Sequence, residues 1–177
     1  MTEKQRPKKD DVYWKVLSST IELDLRKGHQ KWTLSELSRS SKVTRSLIYY
    51  YFGRSKIGIL EEAIKIIGEE LVGLNSDRFH LWEKGLFLES LQQARSFHEK
   101  APYISAFVMA NVRANNPMGD QLRKIEKKFL EKIRQFFPHL SQDQVIAIYT
   151  IYWGAVFCPL GNENSLMYVI DSLKKYF

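Results

Sequence analysis

The stretch that decides the fold is residues 33–60, TLSELSRSSKVTRSLIYYYFGRSKIGIL. It opens with Thr33, and Glu36 follows three residues later. At this spacing each side chain can satisfy a backbone group left unpaired at a helix start. The pattern therefore predicts a short helix that begins at Leu34. The polar residues 40–42 then predict a turn.

A second short helix is predicted directly after that turn. Val43 is an apolar residue able to anchor the turn, and Thr44 is a suitable N-cap for the segment RSLIYYYF at 45–52. Leu47, Ile48 and Phe52 are expected to supply the core contacts of this helix. Two short helices joined by a tight turn predict a helix-turn-helix, in which the second helix enters the major groove of DNA.

The remaining side chains of this stretch suit DNA. Arginine pairs with guanine, serine and threonine hydroxyls bond bases or phosphates, and tyrosine carries a phenolic donor. The predicted DNA contacts are Thr33, Lys42, Thr44, Arg45, Ser46, Tyr49, Tyr50, Tyr51 and Lys56. Taken singly, each fits an ordinary surface or packing position equally well. The spacing of the whole set favours DNA contact.

The order of residues in this stretch resembles that of the TetR family of transcriptional repressors. Signature positions of the family are matched by Thr33, Leu37, Ser41, Val43, Thr44, Ile48, Tyr49, Phe52 and Lys56. The chain departs from the pattern at Ser38, Lys42 and Leu47, which replace the usual alanine, turn glycine and threonine, and the step from Phe52 to Lys56 is one residue longer than usual. If the turn needs a positive φ, Lys42 costs about 1 kcal/mol relative to glycine and has to be held by packing.

The resemblance implies an all-α fold with a three-helix helix-turn-helix DNA-binding domain at residues 1–56. A connector helix would join it to a helical effector-binding and dimerisation domain at residues 57–177. It further implies a repressor that binds a palindromic operator as a homodimer and is released by a small-molecule effector. No cofactor or metal is expected.

The charge distribution supports a nucleic-acid partner independently of the resemblance. Residues 1–60 contain 13 Lys and Arg against 6 Asp and Glu, whereas residues 61–177 contain 14 of each kind, so the whole net charge of +7 lies in the first part. A basic module joined to a neutral body is the pattern expected when one domain docks on phosphates. An acidic protein partner or a membrane surface is also compatible with it.

Composition argues against several other classes. The single cysteine, Cys158, excludes an internal disulfide and a CxxC metal site, and the N-terminus lacks the apolar stretch of a signal peptide, so a cytoplasmic location is expected. The apolar run at 145–160 is too short to span a membrane, and we expect it to be buried. The four histidines show no metal-ligand spacing, and no acid and base pair stands out, so an enzyme is not expected.

Helical periodicity continues along the rest of the chain. Helices are predicted at 11–27, 56–74, 81–100, 103–115, 118–137, 142–157 and 164–177. Proposed ligand-binding residues are Trp82, Phe87, Phe107, Asn111, Arg113 and Trp153, although an aromatic stripe is more often core. The resemblance implies that the last two helices pair with those of a second subunit. The predicted dimer interface comprises Ile148, Ile151, Tyr152, Ala155, Leu166, Val169, Ile170 and Leu173.

Two alternatives to an effector-released repressor remain open at this point. The body could serve only dimerisation, which would make the protein a constitutive DNA-binding dimer. Alternatively, the chain could be a helical interaction protein whose basic end meets an acidic partner. A solidly packed body would favour the first alternative, and an absence of salt-dependent DNA binding would favour the second.

Overall fold

The computed structural model describes residues 9–68, 76–157 and 162–176, with the side chains of 76, 77, 97, 100 and 176 left out. These residues form ten α-helices and no strand, which confirms the predicted all-α class. The helices are α1 Lys9–Lys27, α2 Leu34–Ser41, α3 Arg45–Phe52, α4 Lys56–Ile66, α5 Ser76–Glu83, α6 Phe87–Lys100, α7 Tyr103–Asn111, α8 Pro117–Phe136, α9 Gln142–Phe157 and α10 Glu163–Leu173. A 3₁₀ turn, Lys174–Tyr176, follows α10.

The chain divides into two compact units, Met1–Lys65 and Ile66–Phe177. The division falls near the end of α4, the predicted connector, whereas the expected domain boundary lay at its first residue. The predicted continuation of this helix toward residue 74 lies largely outside the described residues, and so does Cys158. No helix in the described ranges is long and apolar enough to cross a membrane.

The first unit is built on α1. Val12, Val16 and Ile21 are buried along one side of this helix, as its apolar spacing predicts. The helix ends before Gly28, whose φ of +91° lies in the left-handed region. The amide of Gly28 donates to the carbonyl of Asp24 at 3.0 Å. Glycine takes this conformation without strain, so Gly28 serves as the C-terminal cap of α1.

The second unit has an aromatic core. The ring of Trp82 makes edge contacts with Phe129, Phe136 and Tyr152 at centroid separations of 5.6–6.0 Å. Its Nε1 donates to the buried Ser90 hydroxyl at 2.9 Å. The apolar part of this tryptophan is therefore packed against other rings of the unit, and its indole N–H has a hydrogen-bond acceptor.

Three predicted helix bounds in the second unit are wrong. The single helix predicted at 81–100 is two helices, α5 and α6, separated at Gly85, where φ is +70°. The helix predicted to reach residue 115 ends at Asn111, because Asn116 instead caps α8 by accepting from the Gly119 amide at 2.9 Å. The last helix ends at Leu173 rather than at 177.

Candidate DNA-binding site

The start of α2 has the predicted capping box. The Thr33 hydroxyl accepts from the Glu36 amide at 3.2 Å, and the Glu36 carboxylate accepts from the Thr33 amide at 2.8 Å. Glu36 also forms an ion pair with Lys27 at the end of α1. Two backbone donors are thus satisfied at this helix start, and the first two helices are joined across their ends.

This arrangement lowers the pKa of Glu36 to about 2, mainly through the hydrogen bond from Lys27 and then through the bonds from Thr33. A depressed carboxyl pKa stabilises the fold above the ordinary value of 4.5, and this stabilisation is lost as the pH falls toward 2. We therefore expect the melting temperature of the first unit to fall over this pH range, and Glu36→Gln to flatten the fall. Thermal unfolding at a series of pH values measures it, with the exposed Glu61→Gln as control. An unchanged profile in Glu36→Gln would show that the ionised Glu36 carboxylate does not contribute to stability.

The turn between α2 and α3 does require a positive φ at Lys42. Lys42 has φ 56° and ψ 27°, the left-handed conformation that glycine usually takes. The residue that follows Lys42, Val43, is buried and held by two hydrogen bonds. Its carbonyl accepts from the Ser38 hydroxyl at 2.6 Å, and its amide donates to the Ser41 hydroxyl at 3.3 Å. The cost of about 1 kcal/mol for a lysine at positive φ is therefore offset by packing and hydrogen bonds around it.

The inner side of α3 is held in the core of the first unit. Thr44 caps the helix by accepting from the Leu47 amide at 3.4 Å, as predicted. Ile48 is completely buried, while Leu47 and Phe52 are half-buried. Phe52 packs against the ring of Tyr13 on α1 at 4.6 Å between centroids. These contacts fix the rotation of α3 about its own axis.

The outer side of α3 faces solvent. Thr44, Arg45 and Ser46 are exposed at its first turn, and Tyr50 is 79% exposed. The Thr44 and Ser46 hydroxyls lie 3.1 Å apart. The structure thus brings together a cation, two hydroxyls and a phenol on one short helix, which are groups able to bond base edges and phosphates.

The other two tyrosines of α3 are less accessible. Tyr51 is half-buried, and its ring packs edge-on against Tyr13 at 5.7 Å. Tyr49 is also half-buried and lies under the guanidinium of Arg54. Both rings therefore have intramolecular packing partners in addition to any contact they make with DNA.

The remaining predicted contacts lie around this helix. Thr33 and Lys42 are exposed, at the start and end of α2. Lys56 is half-buried, and its ammonium donates to the carbonyl oxygens of Gln30 at 2.6 Å and Trp32 at 3.2 Å. Of the nine predicted DNA contacts, Lys56 is the one whose charged group has backbone acceptors in the same unit.

Sequence reasoning did not single out Asp24, which organises the loop before α2. Its buried carboxylate accepts from the Gln30 amide at 2.8 Å and from Trp32 Nε1 at 2.9 Å. Asp24 follows Val16 and Thr20 at intervals of four residues, on the inward face of α1. Asp24 could have been identified from the sequence as an acidic residue on the buried face of an amphipathic helix.

Four of the predicted ligand residues line three different cavities in the described part of the second unit. Trp82 and Phe87 line a void of about 10 Å³, and Trp153 lines another of about 20 Å³. Arg113 borders an open polar cleft of about 460 Å³ with Arg123 and Glu126. Phe107 is fully buried and Asn111 bonds its own helix, donating to the Phe107 carbonyl at 2.8 Å. Ligand pockets usually measure about 300–1,000 Å³, so neither apolar void could hold an effector as it stands.

The predicted dimer residues lie mostly inside the single chain. Six of the eight are buried, namely Ile148, Tyr152, Ala155, Leu166, Ile170 and Leu173. Ile151 and Val169 are half-buried. The apolar side chains that α9 and α10 expose are instead Ile146, Met167 and Tyr168. Within the described ranges, no three potential metal ligands come together.

Comparisons with known proteins place the chain by its fold. No family model matches the sequence, and no curated protein does. The structure of native NalD, the secondary repressor of the MexAB-OprM multidrug efflux pump in Pseudomonas aeruginosa, matches 94% of this chain and 96% of its own at 17% identity and a TM-score of 0.53. An HlyIIR mutant with a stretch of alanine substitutions matches 95% and 98% at 14% identity and a TM-score of 0.51. At these identities the likeness concerns the fold, and this chain has a TetR-like fold.

Proposed function

We propose that this chain is a transcriptional regulator that binds double-stranded DNA through α2 and α3. The observation that carries the proposal is the division of α3 into two sides. Ile48 is completely buried on one side, while Thr44, Arg45, Ser46 and Tyr50 are exposed. Such a helix is fixed in rotation and presents base-reading groups outward, as a recognition helix must.

Charge supports the same proposal through a separate argument. The whole net charge of +7 lies in residues 1–60, which include the helix-turn-helix. Neutralisation of phosphates by lysine and arginine supplies most of the affinity of DNA-binding proteins at low salt. The neutral remainder of the chain is then available for assembly and regulation.

We further propose that the regulator is a repressor and not an enzyme, and that it works in the cytoplasm, where chromosomal DNA is accessible to it. The description of NalD as a repressor supports this sign of regulation. The proposal covers a palindromic operator, which a two-fold symmetric protein reads through half-sites one DNA turn apart, about 34 Å.

The test begins with duplexes selected from a random pool by the full-length protein. On the selected site, Arg45→Ala is expected to weaken binding by at least about 30-fold, because the dimer loses one arginine-to-base contact in each half-site. It should also relax the preference at one base pair in each half-site. Fluorescence anisotropy measures both effects. The matched control is Arg26→Ala, an exposed arginine paired with Glu22 on α1, and equal losses in both variants would contradict the assignment of Arg45.

We propose a homodimer in which the second copy covers the exposed apolar side chains of α9 and α10. Ile146 is 43% exposed and Tyr168 is 77% exposed, and a second copy would remove these apolar groups from water. The buried members of the predicted interface then serve a different purpose, because they form the core from which α9 and α10 present their outer faces.

A pair of substitutions on α9 tests whether its exposed residues form the dimer interface and its buried residues form the core. Ile146→Asp is expected to leave the fold intact and convert the dimer to a monomer, because it places a charge in the proposed interface. Ile148→Asp, two residues away and buried, is expected to unfold the second unit instead. Sedimentation velocity and circular dichroism distinguish the two effects. A dimer that survives Ile146→Asp unchanged would place the interface elsewhere.

We also propose that a small-molecule effector releases the regulator from its operator. The predicted residues around this ligand are Trp82, Phe87, Phe107, Asn111, Arg113 and Trp153. Among the described residues, the two apolar voids measure only about 10 and 20 Å³, which favours a second candidate, a constitutive DNA-binding dimer. A screen of small molecules for those that raise the melting temperature and reduce operator binding separates the candidates. A compound with both effects supports the effector, since a ligand must prefer one state in order to shift the equilibrium.

A further inference from the structure

Two cations lie close together in sequence at the junction between α3 and α4, and the structure uses them differently. Arg54 is exposed, whereas Lys56 is half-buried with its charge directed at backbone carbonyls. The sequence pattern predicted a DNA contact at Lys56 and none at Arg54.

The ammonium of Lys56 is committed within the first unit. Two of its three donor positions are used by the Gln30 and Trp32 carbonyls, at 2.6 and 3.2 Å. Its Nζ also lies 5.8 Å from the centroid of the Trp32 ring. A phosphate contact would require this group to leave two carbonyl oxygens for which residues 9–65 show no other hydrogen-bond donor.

The acceptors themselves are fixed from the other side. The Gln30 amide donates to the buried Asp24 carboxylate, and Gln30 has φ +57°. Trp32 is completely buried and bonds the same carboxylate through Nε1. The loop between α1 and α2 is thus held between a carboxylate and an ammonium, and Lys56 ties the start of α4 to it.

Arg54 has the opposite surroundings. Gly53, with φ 73° and ψ −160°, ends α3 and donates to the Tyr49 carbonyl at 3.0 Å. This turn brings Arg54 back over the recognition helix, where its guanidinium carbon lies 5.1 Å from the centroid of the Tyr49 ring. A guanidinium held over an aromatic face keeps its N–H edge available, and that edge matches the oxygens of a phosphate.

We propose that Arg54 is the phosphate-binding cation at this junction, and that Lys56 is a positioning residue that holds the loop before α2 against the start of α4. The proposal rests on DNA binding as the proposed function. Arg54 would then make the DNA contact that the sequence pattern assigns to Lys56. The corresponding departure in sequence is the step from Phe52 to Lys56, which is one residue longer than in the family pattern.

The test measures affinity for a labelled duplex of about 24 base pairs, roughly two helical turns, at several salt concentrations. Each phosphate contact contributes about 0.9 to the slope of log affinity against log salt. Because the proposed dimer would lose one phosphate contact per subunit, Arg54→Gln is expected to reduce the slope by about 1.8 without changing the melting temperature. Arg54→Lys retains the charge and should retain most of the slope. Lys56→Met is expected to lower the melting temperature and leave the slope unchanged.

The opposite pattern, a reduced slope in Lys56→Met and an unchanged slope in Arg54→Gln, would overturn the proposal. If Lys56→Met does not fold, Arg54→Gln decides alone, because an unchanged slope in that variant also overturns it. Failure of the unmodified protein to bind the duplex at any salt concentration would instead contradict the proposed function, and the role of Arg54 with it.

Discussion

Replacement of Gly119 by alanine is expected to lower the free energy of unfolding of the second unit by about 2 to 3 kcal/mol, despite the higher helix propensity of alanine. A Cβ atom at this position would lie 2.1 Å from the Ala114 carbonyl oxygen and 2.9 Å from that of Asn111. Both are backbone atoms, which cannot rotate away as a side chain can. The first turn of α8 and the preceding turn would have to separate.

The atoms that the new methyl group would meet are also held in place. Arg123 donates through Nη1 to the Ala114 carbonyl at 3.0 Å and to the Val112 carbonyl at 2.8 Å. Asn116 caps α8 through the amide of Gly119 itself, at 2.9 Å. Relief of the clash therefore breaks hydrogen bonds that satisfy helix-terminal groups, which places the cost in the upper part of the range for overpacking, about 1 to 3 kcal/mol.

Urea unfolding measures this effect. The matched control is Gly58→Ala on α4, where the added Cβ would lie at ordinary contact distance, 3.5 Å, from the Ser55 side chain. That variant is expected to be unchanged or more stable by up to about 1 kcal/mol. Equal stability of the two variants would show that the turn before α8 adjusts freely.

Asp24→Ala is expected to destabilise the first unit by about 3 kcal/mol and to weaken DNA binding with it. Two donors, the Gln30 amide and Trp32 Nε1, would lose their shared acceptor in a buried setting. Each unsatisfied buried donor costs about 1 to 3 kcal/mol. Because the same loop leads into the cap of α2 at Thr33, its disorder would reach the helix-turn-helix.

Glu22→Ala provides the control for Asp24→Ala. Glu22 lies on the same helix, but its ion pair with Arg26 is near the surface, so its removal should change stability by less than about 1 kcal/mol. Chemical unfolding followed by tryptophan fluorescence measures both variants, since Trp32 belongs to the affected loop. A loss no greater in Asp24→Ala than in Glu22→Ala would contradict the role given to the buried carboxylate.

The helix-turn-helix could be predicted from sequence because its signals are local. The capping box at Thr33 and Glu36, the cap at Thr44 and the positive φ at Lys42 each depend on residues within a few positions. Steric and hydrogen-bonding rules at that range leave few alternatives. The break at Gly85 is also local, but a single glycine inside a helical pattern is compatible with both continuation and a break.

The faces of α9 could not be predicted in the same way. This helix is apolar around its whole circumference, so periodicity does not distinguish the side that packs on α6 and α8 from the side left exposed. Ile146 and Ile148 are equivalent in sequence terms, yet one is exposed and the other is buried. Only the tertiary packing separates core residues from candidate interface residues here.

The surroundings of Lys56 were beyond sequence reasoning for a related reason. Its acceptors at Gln30 and Trp32 are backbone carbonyls more than twenty residues away, and carbonyl positions carry no signature in sequence. A motif match fixes the residue type at a position but not the direction of a long, flexible side chain. The same limit applies to the loop around Asp24, which brings together residues from α1 and the following turn.

The most direct test of the central claim, that residues 33–56 read DNA, is an equilibrium titration of the full-length protein with a selected duplex and an unrelated duplex. We expect the selected duplex to bind at least about 1,000-fold more tightly. We also expect binding to both duplexes to weaken steeply between about 50 and 200 mM salt. Equal affinity for the two duplexes, or binding that does not respond to salt, would contradict it.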